Sequence, residues 1–468
     1  MTAKMRMRSW SGFAILTLLT ARLQRASSLS GPINARYNRA VGKVRIANPD
    51  QPRILIALLL SICSVYANAQ TQPTRRTALS PAARISLITY GPGQEDISSV
   101  FGHTEIRVND PATGLDSNYS YGGFDYAADY FVLKFLRGTL PYTLSKHNLF
   151  QAVYYYQHYN RSIREQELNL SPAQRQRLFM ALETNALPQN RLYSYKFFYD
   201  NCATRPRDMI DAAVGDSLIW APTVKQPTQS YRNWMNANLE AKPWERLGMN
   251  LAIGRPADQV TTGWEAMYLP NNVFSELAKA QVRLSNGQVV PLVARTQTLF
   301  EGQSLFKPTL PIVFYPDFVF LVIFALVAFL TWRHWNAGGP NRGRNGIWLD
   351  RLLFGIAGGW GWFLVLLWFA TDHGVTTWNP TLIWLMPLHL PGIFWATSPK
   401  RHPFQTSTYF RITALLLILS FFFLNAPGFA DNLLVGTLLV RALFRSWTKT
   451  ERVNQGVEIL SKKPFYPR

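Results

Sequence analysis

Residues 102–108 read G-H-T-E-I-R-V, and His103 to Val108 reads as an alternating strand, with Glu105, Ile106, Arg107 and Val108 following the period of two expected of a half-buried strand. Upstream, Ile85 to Tyr90 reads as a second strand, joined to the first through the loop Gly91-Pro92-Gly93-Gln94-Glu95-Asp96. Downstream, the turn Asn109-Asp110-Pro111 leads to Asn118 to Phe124, N-Y-S-Y-G-G-F, a third strand. Residues 126–137 and 147–158 read as helices, and 161–170 as extended. A helix follows over 172–186, capped by Ser171 with Pro172 at its first position. Tyr193 to Tyr199 reads as an aromatic strand ending in Asp200-Asn201-Cys202, followed by a helical pattern to about Val214. Residues 227–240 and 270–283 also read as helices. This order of elements predicts an α+β unit with an antiparallel sheet.

The whole chain has 468 residues and a net charge of +21, long enough for two or three folded units. The charge is unevenly spread: residues 1–69 carry +9, 70–310 carry +4 and 311–468 carry +8. The bases of the middle region are scattered and nearly balanced by acids, which argues against a nucleic-acid partner. The excess instead flanks apolar runs, the pattern of membrane topology.

Arg53 precedes the apolar run Ile54 to Ile62, which is too short to span a bilayer, and Ala67-Asn68-Ala69-Gln70 fits a small-x-small cleavage site. A secretory signal peptide cleaved after Ala69 is expected. The C-terminal third holds five apolar stretches, near 312–332, 352–370, 381–397, 409–425 and 429–444, each close to the length that crosses about 30 Å of hydrocarbon. Arg333, Arg342, Arg344 and Arg351 lie between the first two, and Lys400, Arg401 and Arg411 lie around the third connection. The loops 371–380 and 426–432 have no Lys or Arg. Basic loops alternating with uncharged ones place 70–310 outside the cytoplasm and the C-terminus inside it, which requires an odd number of spans. The expected organisation is therefore an extension and signal over 1–69, a linker over 70–83, a periplasmic domain over 84–308, a membrane domain of five helices over 309–447 and a basic cytoplasmic tail over 448–468. Trp360 and Trp362 beside Gly355, Gly358, Gly359 and Gly361 predict close helix packing. Asp317, Asp372 and His373 read as boundary residues at span ends.

Two cysteines rule out a disulfide scaffold, and cleavage of the signal would leave Cys202 alone. A lone exported thiol is either buried and inert or used for its reactivity. Asn201 is a suitable N-cap, which places Cys202 in the first turn of a helix, where backbone N–H groups favour thiolate and can hold an oxyanion. Arg205 and Arg207 add positive charge nearby. Outside the membrane region the histidines are His103, His147 and His158; the last two sit in patterns typical of exposed or structural residues, leaving His103 as the candidate base. Asn118 is the first choice for the group that orients its imidazole, with Glu105 and Asp125 behind it. Arg205, Arg207 and Arg232 are candidate phosphate contacts.

These motifs carry a family resemblance. G-H-T-E-I-R-V at 102–108, N-Y-S-Y-G-G-F-D at 118–125, L-K-F-L-R-G at 133–138, N-R-S-I-R-E-Q-E-L-N-L at 160–170 and F-F-Y-D-N-C-A-T-R-P-R-D at 197–208 together resemble the Lnb N-terminal periplasmic domain. So does G-R-P-A-D-Q at 254–259 followed by M-Y-L-P at 267–270, and the five apolar stretches resemble the membrane part that accompanies that domain. The resemblance implies a papain-like, circularly permuted NlpC/P60-type fold in which histidine precedes cysteine. It also implies lipoprotein N-acyltransfer at the inner membrane, without a cofactor or metal, with a phospholipid as acyl donor and a lipoprotein as acceptor. Cys202 takes the nucleophile position and His103 that of the base. Pro206, which removes a helix N–H soon after the nucleophile, departs from the pattern. Two other readings stand beside this one: a cell-wall amidase or endopeptidase using the same dyad, and a non-catalytic membrane protein with a binding ectodomain.

Overall fold

The computed structural model describes residues 78–302, 310–337, 346–423 and 428–447. The expected signal peptide, the extension before it and the basic tail lie outside the described residues. The soluble part is built on seven strands: β1 (Arg84–Tyr90), β2 (His103–Asp110), β3 (Leu115–Gly123), β4 (Pro141–His147), β5 (Ile163–Leu168), β6 (Leu192–Ser194) and β7 (Val293–Phe300). Their order is β7-β5-β1-β2-β3-β4-β6, and every neighbouring pair is antiparallel. Helices α1 (Phe131–Arg137) and α2 (Leu149–His158) follow β3 and β4; α3 (Pro172–Ala186) and α4 (Thr204–Val214) follow β5 and β6.

The alternation in β1 to β3 divides the sheet into two faces. Leu87, Ile106, Val108, Tyr119 and Tyr121 form the main core with Leu178 and Leu182 of α3 and Ile210 of α4. Ile88, Tyr90 and Ile163 form a smaller cluster with Ala152 of α2. The helix predicted at 172–186 is present, with the Ser171 side chain accepting from the Gln174 N–H and Pro172 in the first turn.

Some boundaries differ from expectation for local reasons. The helix expected over 126–137 begins only at Phe131, because Tyr130 is left-handed, with φ of 56°. The strand expected from Tyr193 to Tyr199 stops at Ser194, and a tight turn follows in which Lys196 and Asp200 exchange backbone hydrogen bonds. The first part of 227–240 is a strand, Pro227–Ser230, paired with Val260–Thr262 before the helix Tyr231–Asn238. Helix Pro270–Lys279 likewise gives way to the strand Gln281–Arg283.

The C-terminal region contains α5 (Pro316–Asn336), α6 (Ile347–Phe369), the short α7 (His389–Ala396), α8 (Pro403–Phe423) and α9 (Phe429–Ser446). Among the described residues α5 and α6 are long and apolar enough to cross a membrane; their 21 and 23 residues extend about 32 and 35 Å at the rise of an α-helix. Leu326, Phe329, Ile356 and Leu366 project outward from them, as lipid-facing side chains would.

The third apolar stretch is not the continuous helix expected. It consists of a 3-10 turn at Pro380–Ile383, an irregular passage and α7. It nevertheless runs the length of α6 in the opposite direction. The Thr376 hydroxyl donates to Leu367 O near one end (2.7 Å), and Arg351 Nε donates to Thr397 Oγ1 near the other (2.9 Å). Two of the four glycines make this approach possible: a Cβ on Gly361 would lie 2.0 Å from Leu385 O, and one on Gly358 2.1 Å from Leu390 N, whereas Gly355 and Gly359 face open space. The helix breaks at Pro387, which has no N–H to donate and clashes with the carbonyl four residues before it, at Ile383, where the 3-10 turn ends.

A buried ion network joins three helices at the end of the bundle away from the soluble domain. Asp350 of α6 accepts from Arg441 Nε and Arg445 Nε of α9, each at 2.7 Å, and Arg441 Nη1 donates to Thr331 of α5 at 3.0 Å. At the opposite end, Trp244 Nε1 donates to Phe314 O (2.7 Å), Asn379 Nδ2 to Leu251 O (2.8 Å), and Lys196 pairs with Asp372 (2.7 Å). Of the span-end residues, Asp372 and His373 take part in this junction, whereas Asp317 accepts from the Ala430 N–H and so ties α5 to α9 within the bundle.

Candidate active site

Strands β2 and β3 pair only as far as Glu105 opposite Ser120. Beyond that point β3 continues to Gly123 alongside β4, leaving a notch next to His103 and Thr104. Cys202 occupies this notch: a side chain on Gly122 would lie 3.7 Å from the Cys202 Cβ and 3.9 Å from His103 Cε1. The fold thus brings together residues 99 positions apart in sequence, as the cysteine and histidine readings require.

Asn201 fixes the cysteine. Its side-chain oxygen accepts from the N–H groups of Ala203 (2.7 Å) and Thr204 (3.0 Å), and Thr204 Oγ1 accepts in return from the Asn201 N–H (2.8 Å). This is reciprocal N-capping, with Cys202 in the turn that opens α4. The Asn201 amide also donates to Phe197 O and Tyr268 O, so the residue expected to bind substrate is buried and positions Cys202. Pro206 falls in the first turn of α4, where the ladder passes over it: Arg205 N–H bonds to Asn201 O and Arg207 N–H to Ala203 O. It removes only the donor to the Cys202 carbonyl.

His103 Nε2 lies 2.8 Å from Ser120 Oγ and 3.6 Å from Glu105 Oε1, which leaves Nδ1 as the ring nitrogen available to the thiol. Glu105 is buried between two imidazoles: its Oε2 is 3.1 Å from His147 Nε2 and accepts from Tyr90 OH (2.8 Å) and Asn118 Nδ2 (2.9 Å). Asn118 therefore does not hold the His103 ring itself. It braces the Glu105 carboxylate, which faces His103 Nε2 at 3.6 Å, while Ser120 Oγ is the group hydrogen-bonded to that nitrogen. His147, set aside in the sequence as exposed or structural, belongs to the same cluster.

The electrostatics differ from the activated thiolate that the helix terminus suggests. Burial pushes the Cys202 thiol up to about 12, outweighing hydrogen bonds from the Thr104 N–H and its own N–H and the nearby Arg161 charge. Burial also takes His103 down to about 4, against the pull of Glu105. Burial alone would raise Glu105, but the His147 hydrogen bond and the two imidazoles bring it down to about 2. At neutral pH the dyad is therefore a neutral thiol beside a neutral imidazole, with a buried carboxylate behind.

The three arginines expected to contact substrate are engaged elsewhere. Arg205 forms a fork with Asp200 (2.6 and 2.7 Å) and stacks over Tyr193. Arg207 binds Asp208 and Trp264 O and lies over the Trp264 ring. Arg232 binds Asp258 at 2.6 Å, together with Asn250 and the Ile253 and Gly254 carbonyls. It borders a cavity of about 290 Å³ between the domain and the bundle, whose lining includes neither a thiol nor an imidazole. The guanidinium that acts on the site is Arg161. It is buried, bonds to Gly91 O and Glu95, lies over Tyr156, and its Nη2 has no partner among the described residues. Strand periodicity holds the signal for the missed residues: 103 and 105 share one face of β2, 118 and 120 one face of β3, and register sets Asn118 opposite His147. Among the described residues no cluster of three or more His, Cys, Asp or Glu has an arrangement that would hold a metal ion.

Comparison with protein families agrees with this architecture. Residues 70–237 match the Lnb N-terminal periplasmic domain, and residues 308–452 match the Lnb transmembrane domain. The chain belongs to the Lnb family. It is accordingly a membrane protein with a periplasmic domain, and the residues of the site described above lie within the first of the two matched regions. No curated protein and no solved structure matches the chain.

Proposed function

We propose that this protein is a lipoprotein N-acyltransferase of the inner membrane, acting by ping-pong transfer through a Cys202 thioester, on a papain-like, circularly permuted NlpC/P60-type domain. The observation that carries the reading is the convergence of Cys202 and His103 on Gly122, backed by the buried Glu105, in a domain joined directly to membrane helices.

In the first half-reaction His103 Nδ1 takes the thiol proton as sulfur attacks an acyl ester of a phospholipid. With both partners neutral beforehand, charge separation arises only in the transition state, where Glu105 stabilises the imidazolium. The Thr104 and Cys202 N–H groups, which already bond to the thiol, supply donors for the tetrahedral oxyanion. Collapse breaks the ester C–O bond, and the lysophospholipid leaves with the proton from His103. The α-amine of a diacylglyceryl-cysteine lipoprotein then attacks the thioester, an N–C bond replaces the S–C bond, and the thiol is restored. Both substrates are lipids, which accounts for a thiol site mounted on a membrane bundle.

We assign five crossings to the bundle, the third being the broken segment along α6, with the C-terminus in the cytoplasm; the buried Asp350, Arg441 and Arg445 then lie at its cytoplasmic end. Intact-mass measurement after incubation with phospholipid tests the chemistry. The expected result is one acyl increment on Cys202 that hydroxylamine removes and Cys202→Ser lacks. No adduct on the wild-type protein, together with altered muropeptides in cells, would favour the cell-wall hydrolase.

A further inference from the structure

Helix α1 lies where the soluble domain meets the bundle. Its last turn is fastened to the residues that follow α6: the Asp372 N–H donates to Arg137 O (2.7 Å) and His373 Nε2 to Leu136 O (2.9 Å). Gly138 ends the helix at φ 67°, and a Cβ there would come within 3.0 Å of His373, so this close junction requires glycine. Since α6 is long and apolar enough to cross a bilayer and ends at Phe369, three residues before Asp372, α1 sits level with the membrane surface.

At that level α1 has no buried residue. Tyr130, Val132, Leu133, Phe135 and Leu136 are all exposed, as is Tyr126 just before the helix, which in water would be an unsupported apolar patch. Lys134 and Arg137 supply the charge that suits phosphate headgroups. From this patch aromatic rings lead inward. Phe131 and Phe124 are 5.9 Å apart, Phe124 and Tyr142 5.2 Å, and Tyr142 stacks on Tyr195 at 4.4 Å. Phe124 itself follows two residues after Gly122, where an added Cβ would stand 3.7 Å from the Cys202 Cβ.

We propose that α1 is embedded in the lipid leaflet facing the periplasmic domain, and that the ring series Phe131, Phe124, Tyr142 and Tyr195 guides a phospholipid acyl chain from that leaflet to Cys202. The destination of the chain rests on the acyl-transfer reading; the seating of α1 does not.

The test uses the full chain with Cys202→Ser and a single new cysteine, Leu133→Cys on α1 or Thr113→Cys in the turn at the other end of β3, each carrying an environment-sensitive fluorophore. The proteins are reconstituted in phosphatidylcholine and phosphatidylglycerol vesicles containing nitroxide-labelled lipid. The label at 133 should be blue-shifted and strongly quenched, and that at 113 neither. A label at 133 as wet and unquenched as that at 113 would overturn the proposal, and so would one that is shielded but not quenched by lipid, which points to a protein cover. For the ring series, the chain with Cys202 intact is alkylated in vesicles. Leu133→Glu with Leu136→Glu should slow reaction with a long-chain N-alkylmaleimide on the order of tenfold while leaving N-ethylmaleimide unchanged. Equal effects on the two reagents would contradict it. Neither readout needs turnover, so an absence of acyl transfer would leave both interpretable.

Discussion

At the scale of the residue, the site pairs a reluctant nucleophile with a reluctant acid. Burial holds the Cys202 thiol up at about 12 and His103 down at about 4, so the neutral pair persists across the whole range between. The acid limb of kcat/KM should therefore fall near pH 4, and a limb at 6.5, the ordinary imidazole value, would contradict the burial of His103. The same shift bears on stability. Between 6.5 and about 4 the unfolded chain binds a proton that folded His103 does not, so this group's contribution is lost as pH falls through that window. His103→Ala should lower turnover by roughly 10²- to 10⁴-fold, the range of general-base catalysis, with folding retained. Glu105→Gln leaves the shape of the carboxyl but removes its charge, so it should lower kcat more than it raises KM, as measured by steady-state kinetics.

At the scale of the element, the notch between β2 and β3 makes the site. Gly122 stands in it with φ of 112°, and a methyl group there would rest in van der Waals contact with both Cys202 and His103. Gly122→Ala should cost about 1–3 kcal/mol in backbone strain and slow alkylation of Cys202 while folding is retained, which denaturant titration and thiol labelling together would separate. Asn201→Ala removes the cap of α4 and should cost about 1 kcal/mol in the same titration. The strands that carry His103 and Asn118 were legible in the sequence because period-two alternation is a local signal. So was the capped turn at Asn201. The role of Glu105 was only partly legible and that of Ser120 and His147 not at all, because cross-strand register decides which polar residues of one face meet, and register is not a local property. The three arginines have acidic partners: Asp200 and Asp208 stand beside Arg205 and Arg207 in the sequence itself, whereas only the fold brings Asp258 to Arg232.

At the scale of the whole molecule, apolar runs announced the membrane region and Pro387 marks the break in the third run, but the contact of its backbone with Gly358 and Gly361 is one that no hydropathy pattern records. The buried Asp350 between Arg441 and Arg445 locks α6 to α9. Asp350→Ala leaves two guanidinium groups without their counter-ion and should destabilise the bundle by about 3–5 kcal/mol, read as a lower melting temperature in detergent, while Asp350→Glu should recover part of the loss. The central claim is that Cys202 carries an acyl group to lipoprotein amines, and mass spectrometry of lipoprotein N-termini from cells that have no other N-acylating activity tests it most directly. Cells carrying the wild-type chain should yield N-acylated diacylglyceryl-cysteine and cells carrying Cys202→Ser the free amine; N-acylation that is equal in the two, or absent from both, would contradict the account.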